Sequence, residues 1–334
     1  MIEKLRRKMS NETIIIVFFL FILILVSITF TLLYGSFLST RNIKLLFQHM
    51  SVTALAALGL TFVIIVGHFD MSFHMVGCFA GMTASFMIGE GYLPLPSVIL
   101  GLLVGLIFGF VNGITIGKFN LPDMIITIGT GSIALGLGYL YSGGAFIYDN
   151  FLVSGILKIN NSEWFGIPFP TILMIISYFI AYMVLNRSKY GRYFYATGDN
   201  KEIAIFSGIR VKLYIIVAFI ISAFLSSLAT ILITSAQGVG NVKAGLNLLM
   251  PAYASIYIGI SVFRKPTVIG TLFGALFTSI MLNGFTLMNI PFYFQDLTIS
   301  STMIITIIFS KKIITNLTTQ KTSTVQTSDK EVAS

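Results

Sequence analysis

The sequence predicts an all-α polytopic membrane protein of about ten transmembrane helices, some of them broken or re-entrant. Three observations carry that prediction. Hydrophobic residues make up 56% of the 334, charged residues only 10%, and mean hydropathy is +0.92, whereas about a quarter of residues are charged in a soluble domain. The apolar residues fall in runs long enough to cross a hydrocarbon core, separated by short polar breaks. Of the 21 Lys and Arg residues, seventeen fall in the segments that ten crossings place on one side and four on the other, the asymmetry that orients membrane proteins with the positive side inside.

Residues 1–12 carry Lys4, Arg6, Arg7 and Lys8 ahead of the first apolar run, 13–34. At 1.5 Å per residue this run crosses a core of roughly 30 Å. It is longer than a signal-peptide core and has no small-residue cleavage site, so it reads as an uncleaved first span behind a cytoplasmic N-terminus. The remaining runs are 50–67, 71–89, 95–117, 121–142, 168–186, 213–236, 246–263, 267–288 and 292–310. This gives a transmembrane domain over 13–310, a cytoplasmic loop at 187–212 and a cytoplasmic tail at 311–334. The tail is rich in Thr, Ser and Lys, lacks an apolar period and is expected to be disordered. Only Gly67-His68-Phe69-Asp70 separates the second and third runs. Irregular backbone at membrane depth is tolerated where protein buries it or where it lines a wet cavity, so broken or half-spanning helices are expected here. The longest outer segment, 143–167, offers a surface to a soluble delivery partner.

The loop 187–212 is the longest highly charged interior segment. Asp199 precedes Glu202 by the three residues of a capping box, and Gly208 stands where a helix C′ glycine would. The spacing predicts a two-turn helix over Lys201 to Ser207, too short to be stable alone. Its Ile203, Ala204 and Phe206, beside Lys201 and Arg210, suit insertion into a cleft on a partner; an ordinary solvated loop is the competing reading.

In the fourth run Gly101, Gly105, Gly109, Gly113 and Gly117 recur every four residues, a face on which helix backbones can approach closely. Gly270 and Gly274 repeat the spacing in the ninth run, and Asn112-Gly113 is echoed by Asn283-Gly284. Each of these runs is third in a set of four of opposite direction, a hint of inverted repeats. Asp70, Asp123 and Asp296 fall near run ends, and no Lys or Arg sits at the middle of a run. Ion-coupled carriers need ionisable groups in their pathway, so the energy source is expected outside this chain. The uncharged Thr61, Asn112, Thr127, Thr130, Gln237, Asn247 and Asn283 suit either a neutral, hydroxyl-rich cargo or hydrogen bonds between helices.

Catalytic constellations fail. His49, His68 and His74 are the only histidines, in no zinc-ligand spacing, and neither a G-x-S-x-G elbow nor a phosphate loop occurs. No cofactor or metal is expected on this chain. The net charge of +9 is explained by topology rather than by a nucleic-acid stripe. Cys78, the one cysteine, lies in an apolar run and reads as packing.

From about His49 to Phe309 the chain resembles the inner-membrane permease family of ABC importers for ribose, other monosaccharides and autoinducer-2. One block runs S-V-T-A-L-A-A-L-G-L-T-F-V-I-I-V-G-H-F-D-M-S-F-H, with Ser51, Gly59, Thr61, Val63, Asp70 and Ser72 matching. The more specific block runs from Gly191-Arg192-Tyr193 through Asn200 and Ala204 to Ser207-Gly208-Ile209. His74, Met71 and Phe69 depart from the family's usual glycine, leucine and small aliphatic residue.

The resemblance implies a bacterial inner-membrane permease subunit with both termini cytoplasmic, paired with a second permease subunit, identical or related. Two cytoplasmic ATPase subunits carry the ATP and Mg, and a soluble or lipid-anchored binding protein delivers the solute. It implies coupling to the ATPase through Gly191, Asn200, Ile203, Ala204, Ser207, Gly208 and Ile209. Candidates for the transport pathway are Asp70, Asn112, Thr130 and Asn283; for Asp70 the competing reading is a surface cap on the third span. An importer for nucleosides or branched-chain amino acids is the alternative, and an intramembrane enzyme a remote one.

Overall fold

The computed structural model describes residues 2–308, so the expected disorder of 311–334 lies outside the described residues. In chain order the helices are α1 (Ile2–Leu33), α2 (Thr40–Ile65), α3 (Phe73–Gly89), α4 (Pro94–Gly117), α5 (Asp123–Ser142), α6 (Phe151–Ser154), α7 (Ile156–Asn160), α8 (Phe169–Tyr182), α9 (Lys189–Asp199), α10 (Lys201–Phe206), α11 (Val211–Gln237), α12 (Leu249–Phe263), α13 (Val268–Leu287) and α14 (Phe292–Ile308). Seven are long and apolar enough to cross a membrane; the apolar stretches Phe19–Leu33, Phe73–Gly89 and Phe292–Ile308 bring the set to ten among the described residues. Each coincides with one of the ten predicted runs. The second begins earlier than its apolar run suggests: Ser39 caps α2 by accepting from the Asn42 amide, which brings Arg41 and Lys44 into the helix rather than a loop. A strand pair, Glu163–Trp164 (β1) and Ile167–Pro168 (β2), pairs antiparallel around Phe165-Gly166. Both turn residues have positive φ, 56° and 77°, as a type I′ hairpin requires.

The core is built around α11, which packs along α2, α3 and α4. All five glycines of the α4 stripe are buried. A Cβ on Gly109 would meet the Phe219 carbonyl oxygen at 2.8 Å, one on Gly113 the Ile216 Cα at 2.7 Å, and one on Gly117 the Lys212 carbonyl oxygen at 3.1 Å. The stripe therefore lets α4 lie on α11 backbone to backbone, while Gly101 sits over Ala80 of α3. Away from this seam α4 and α5 expose apolar side chains such as Ile107, Phe110, Ile125 and Leu140, as a lipid-facing surface does.

Between the sets α2–α5 and α11–α14, α4 packs on α11 and α13 on α2. In each set the second helix is preceded by chain outside any α-helix that dips into the bundle. In the first set this is 66–72, entering from the face that carries α9 and α10. In the second it is 238–248, entering from the opposite face: Gly240 lies against Ser85 near the end of α3, while Gly245 lies against His74 and Cys78 at its beginning. The first break is the one the short Gly67-His68-Phe69-Asp70 link predicts. The second is not visible as a short link, because its length and composition are those of an ordinary loop.

Candidate functional site

The first break has a complete accounting of its backbone donors. The Phe69 amide donates to Asp123 Oδ2 at 2.9 Å, Asp70 to the Tyr253 hydroxyl at 3.2 Å, Met71 to Thr127 Oγ1 at 3.1 Å and Ser72 to Asp70 Oδ1 at 2.9 Å. Buried backbone polar groups must be paired, and here side chains of α5 and α12 do what a helix would have done.

Asp70 is 1% exposed. Its Oδ1 also accepts from Ser72 Oγ at 2.6 Å, and its Oδ2 from Ser222 Oγ at 2.8 Å. Ser222 is the twelfth residue of α11, about 16 Å along that helix at 1.5 Å per residue, so Asp70 lies at mid-depth. This corrects the reading of it as a surface cap; it stands just ahead of α3 but is buried. The network continues as Asn112 Nδ2 donates to Ser72 Oγ at 2.8 Å and Thr130 Oγ1 donates to Asn112 Oδ1 at 2.7 Å. Three of the four pathway candidates thus join in one hydrogen-bonded chain, buried at Asp70 and Asn112 and partly exposed at Thr130. Asn283 does not; it exchanges amide hydrogen bonds with Asn42, at 2.9 and 3.1 Å. Thr61 pairs with Thr271 at 2.7 Å, a link between α2 and α13.

Asn42 and Asn283 stand in the wall of a cavity of about 680 Å³ formed by α2, α7, α8, α11, α12, α13, α14 and the second break. That volume lies in the range of small-molecule sites. Gln237, Asn247 and Gln295 also line it, and among the described residues His49 is its one ionisable lining residue. It lies toward the face opposite α9 and α10, beside α7 and the strand pair. Lys44 and Glu163 form an ion pair there, joining α2 to β1. Sequence reasoning picked out Gln237, Asn247 and Asn283 but not Asn42, Asn160 or Ser279, because which helix faces share a cavity is set by packing rather than by local pattern.

On the other face α8 ends in a five-residue π-helical turn, Met183–Arg187, and the chain folds back as α9. Gly191 is buried where a Cβ would collide with the Leu185 carbonyl, and a Cβ on Gly198 would collide with the Ile65 carbonyl at the end of α2. The Tyr195 hydroxyl donates to the Pro266 carbonyl at 3.0 Å; burial, with Asp199 nearby, pushes its pKa up to about 12, so it remains a donor at physiological pH. The predicted short helix forms as α10, but with a different cap. Asp199 closes α9, and Asn200 caps α10 by accepting from the Ile203 amide at 3.0 Å. Gly208, at φ 78°, ends it: Gly208 N–H donates to Ile205 O and Ile209 N–H to Ala204 O, the paired bonds of a Schellman motif. Ala204 is buried in the chain's own core, whereas Ile203 (63% exposed), Ile205 (55%) and Phe206 (91%) are exposed.

A bundle of ten apolar helices with two broken ones, a buried polar seam and an amide-lined cavity is the body of a membrane transport protein. Residues 42–309 match the family model described as the permease component of branched-chain amino acid transport systems, and the chain belongs to that family. The D-allose transport system permease protein of Escherichia coli (strain K12) is 32% identical, over 83% of this chain and 85% of its own. The ribose import permease of Haemophilus influenzae is 31% identical, over 83% and 87%. The autoinducer 2 import system permease of Photorhabdus luminescens is 30% identical, over 83% and 84%. No solved structure matches the chain.

Proposed function

We propose that this chain is the permease subunit of an ATP-driven importer in the bacterial inner membrane, passing a monosaccharide or an autoinducer-2-like neutral polar solute. The observation that carries the cargo class is the cavity: its polar lining is almost wholly amide and hydroxyl, which matches a ligand of hydroxyl groups and offers no fixed charge pair to a zwitterionic amino acid. The named relatives, which import or transport D-allose, ribose and autoinducer 2, support the same choice. The basic face bearing α9 and α10 is cytoplasmic by the positive-inside rule, with both termini on that side. The exposed Ile203, Ile205 and Phe206 dock an ATPase subunit, which binds the ATP and Mg, and two permease and two ATPase subunits form the complex. A binding protein, soluble or lipid-anchored, delivers cargo at the opposite face.

The test is reconstitution of the complex with its ATPase and binding protein in proteoliposomes. ATP-dependent uptake of D-ribose, D-allose or autoinducer-2, and none of leucine or adenosine, is the expected result. Uptake of leucine or adenosine alone would overturn the cargo class.

A further inference from the structure

The chain's single tryptophan, Trp164, stands on the hairpin that leads into α8. It is paired across the hairpin with Ile167, so the two side chains share one face, and Phe165 occupies the tip. Trp164 is 58% exposed, Ile167 is exposed and Phe165 is fully exposed. Phe165 also lies in the left-handed region, at φ 56°, where glycine or asparagine is at ease and a bulky side chain is not. A phenylalanine there strains the turn and gives the core nothing, so its benefit lies outside the fold.

α8 shows where the hairpin stands. The Trp164 ring lies 6.3 Å from that of Phe169, the first residue of the helix. Ile176 and Ile180, seven and eleven residues further on, fall on the same side of a 3.6-residue helix as Phe169, and both are exposed. Pro170, Thr171, Met174, Tyr178 and Ala181, on the other side, are buried. Trp164 therefore sits over the outward side of a helix apolar enough to cross the membrane, away from the side on which Pro170 lines the cavity.

We propose that the hairpin is a lipid anchor: Trp164, Phe165 and Ile167 seat in the headgroup region of the leaflet opposite α9 and α10, continuous with the lipid-facing side of α8. Tryptophan rings concentrate at this level of a bilayer, where one end is apolar and the other wet. Glu163, the hairpin's one charged residue, is already paired with Lys44 at 2.6 Å. The unpaired edges of a two-stranded hairpin exclude it from the hydrocarbon core, but water meets them among the headgroups. Because Lys44 belongs to α2 and β2 runs straight into α8, the anchor holds the ends of two helices that wall the cavity.

Trp164 is its own probe, being the only tryptophan. The full chain is reconstituted in phosphatidylcholine vesicles, plain or with acyl chains brominated near the headgroup or near the chain end, and iodide is supplied on both sides of the membrane. Trp164 emission should be blue-shifted from that of free tryptophan in water, quenched more by the shallow bromines than by the deep ones, and little affected by iodide. Phe165→Asp turns the tip into the Asp-Gly pair that a type I′ turn prefers, so membrane abundance and thermal stability should hold or rise. Its carboxylate is drawn to water, so Trp164 emission should shift red and iodide quenching should increase. Lower stability in Phe165→Asp would overturn the anchor, since Phe165 would then serve the fold. Wild-type emission at the wavelength of free tryptophan, with full iodide quenching, would also overturn it and leave the hairpin as a surface for a soluble partner. Blue-shifted emission that neither set of bromines quenches would overturn it as well, the ring then being covered by protein.

Discussion

Replacing Asp70 by asparagine isolates what charge does at the centre of the bundle. All three partners of the Asp70 side chain are donors, Ser72 N–H, Ser72 O–H and Ser222 O–H, at 2.9, 2.6 and 2.8 Å. Both oxygens therefore act as acceptors, the role of a carboxylate, while full burial works against its charge. The position just ahead of α3 adds the favourable end of that helix's dipole. The Asp70→Asn side chain would keep the shape and the two Oδ1 bonds as neutral bonds, while Ser222 Oγ would have to accept from the new amide NH2 instead of donating. A bond to a charged group is worth about 1.5–3 kcal/mol and a neutral one about 0.5–1.5 kcal/mol, so three of them together lose roughly 3 kcal/mol. Against a total stability of about 5–15 kcal/mol that weakens the fold without abolishing it. Heating detergent-solubilised protein and following the monodisperse fraction by size-exclusion chromatography should show Asp70→Asn melting below wild type, with Asp70→Ala lower still because Ser72 N–H and Ser222 O–H are then left unpaired. An asparagine variant as stable as wild type would refute the carboxylate reading, since only a protonated Asp70 could be exchanged for an amide at no cost.

The glycines of α4 and α5 should respond with opposite signs by position. Gly113→Ala places a methyl 2.7 Å from the Ile216 Cα and should cost about 1–3 kcal/mol by overpacking. Gly129→Ala and Gly136→Ala on α5, whose Cβ positions have nothing within 4 Å, should hold or gain about 0.5–1 kcal/mol from lost chain entropy; equal losses in membrane abundance would contradict the seam. On α10, Phe206→Ser should reduce ATPase co-purification with normal abundance, whereas Ala204→Asp should reduce abundance itself by burying a charge; the reverse pattern would show that the exposed and buried faces are misassigned. For the Asn42–Asn283 pair, a thermal-stability double-mutant cycle with alanine should give a coupling of about 1 kcal/mol, and strict additivity would mean that the pair contributes nothing.

The ten crossings were readable because each is a long apolar run, and α10 because a glycine at C′ is a local signal. Its N-cap was misread for an equally local reason: Asp199 and Asn200 are adjacent capping residues, and only the turn of α9 decides which is spare. The four-residue glycine spacing names a face of α4 but not the helix it meets, which depends on α11 arriving from far along the chain. Likewise nothing in a single aspartate between two apolar runs says that a serine and a tyrosine of later helices close around it. The second break was hidden because polar residues that dip into a bundle and polar residues that cross its surface have the same composition.

The break at 66–72 also constrains the order in which the chain can finish assembling. Its amides are satisfied by Asp123 and Thr127, 54 and 56 residues later, and by Tyr253, 183 residues later. When α2 and α3 first enter the bilayer, none of those side chains has been made. Until α5 arrives, Phe69 and Met71 must keep their amides in water or leave them unpaired in lipid, and Asp70 waits for α12. An early-synthesised stretch is therefore among the last to reach its native bonds, and the half of the protein made second completes the half made first.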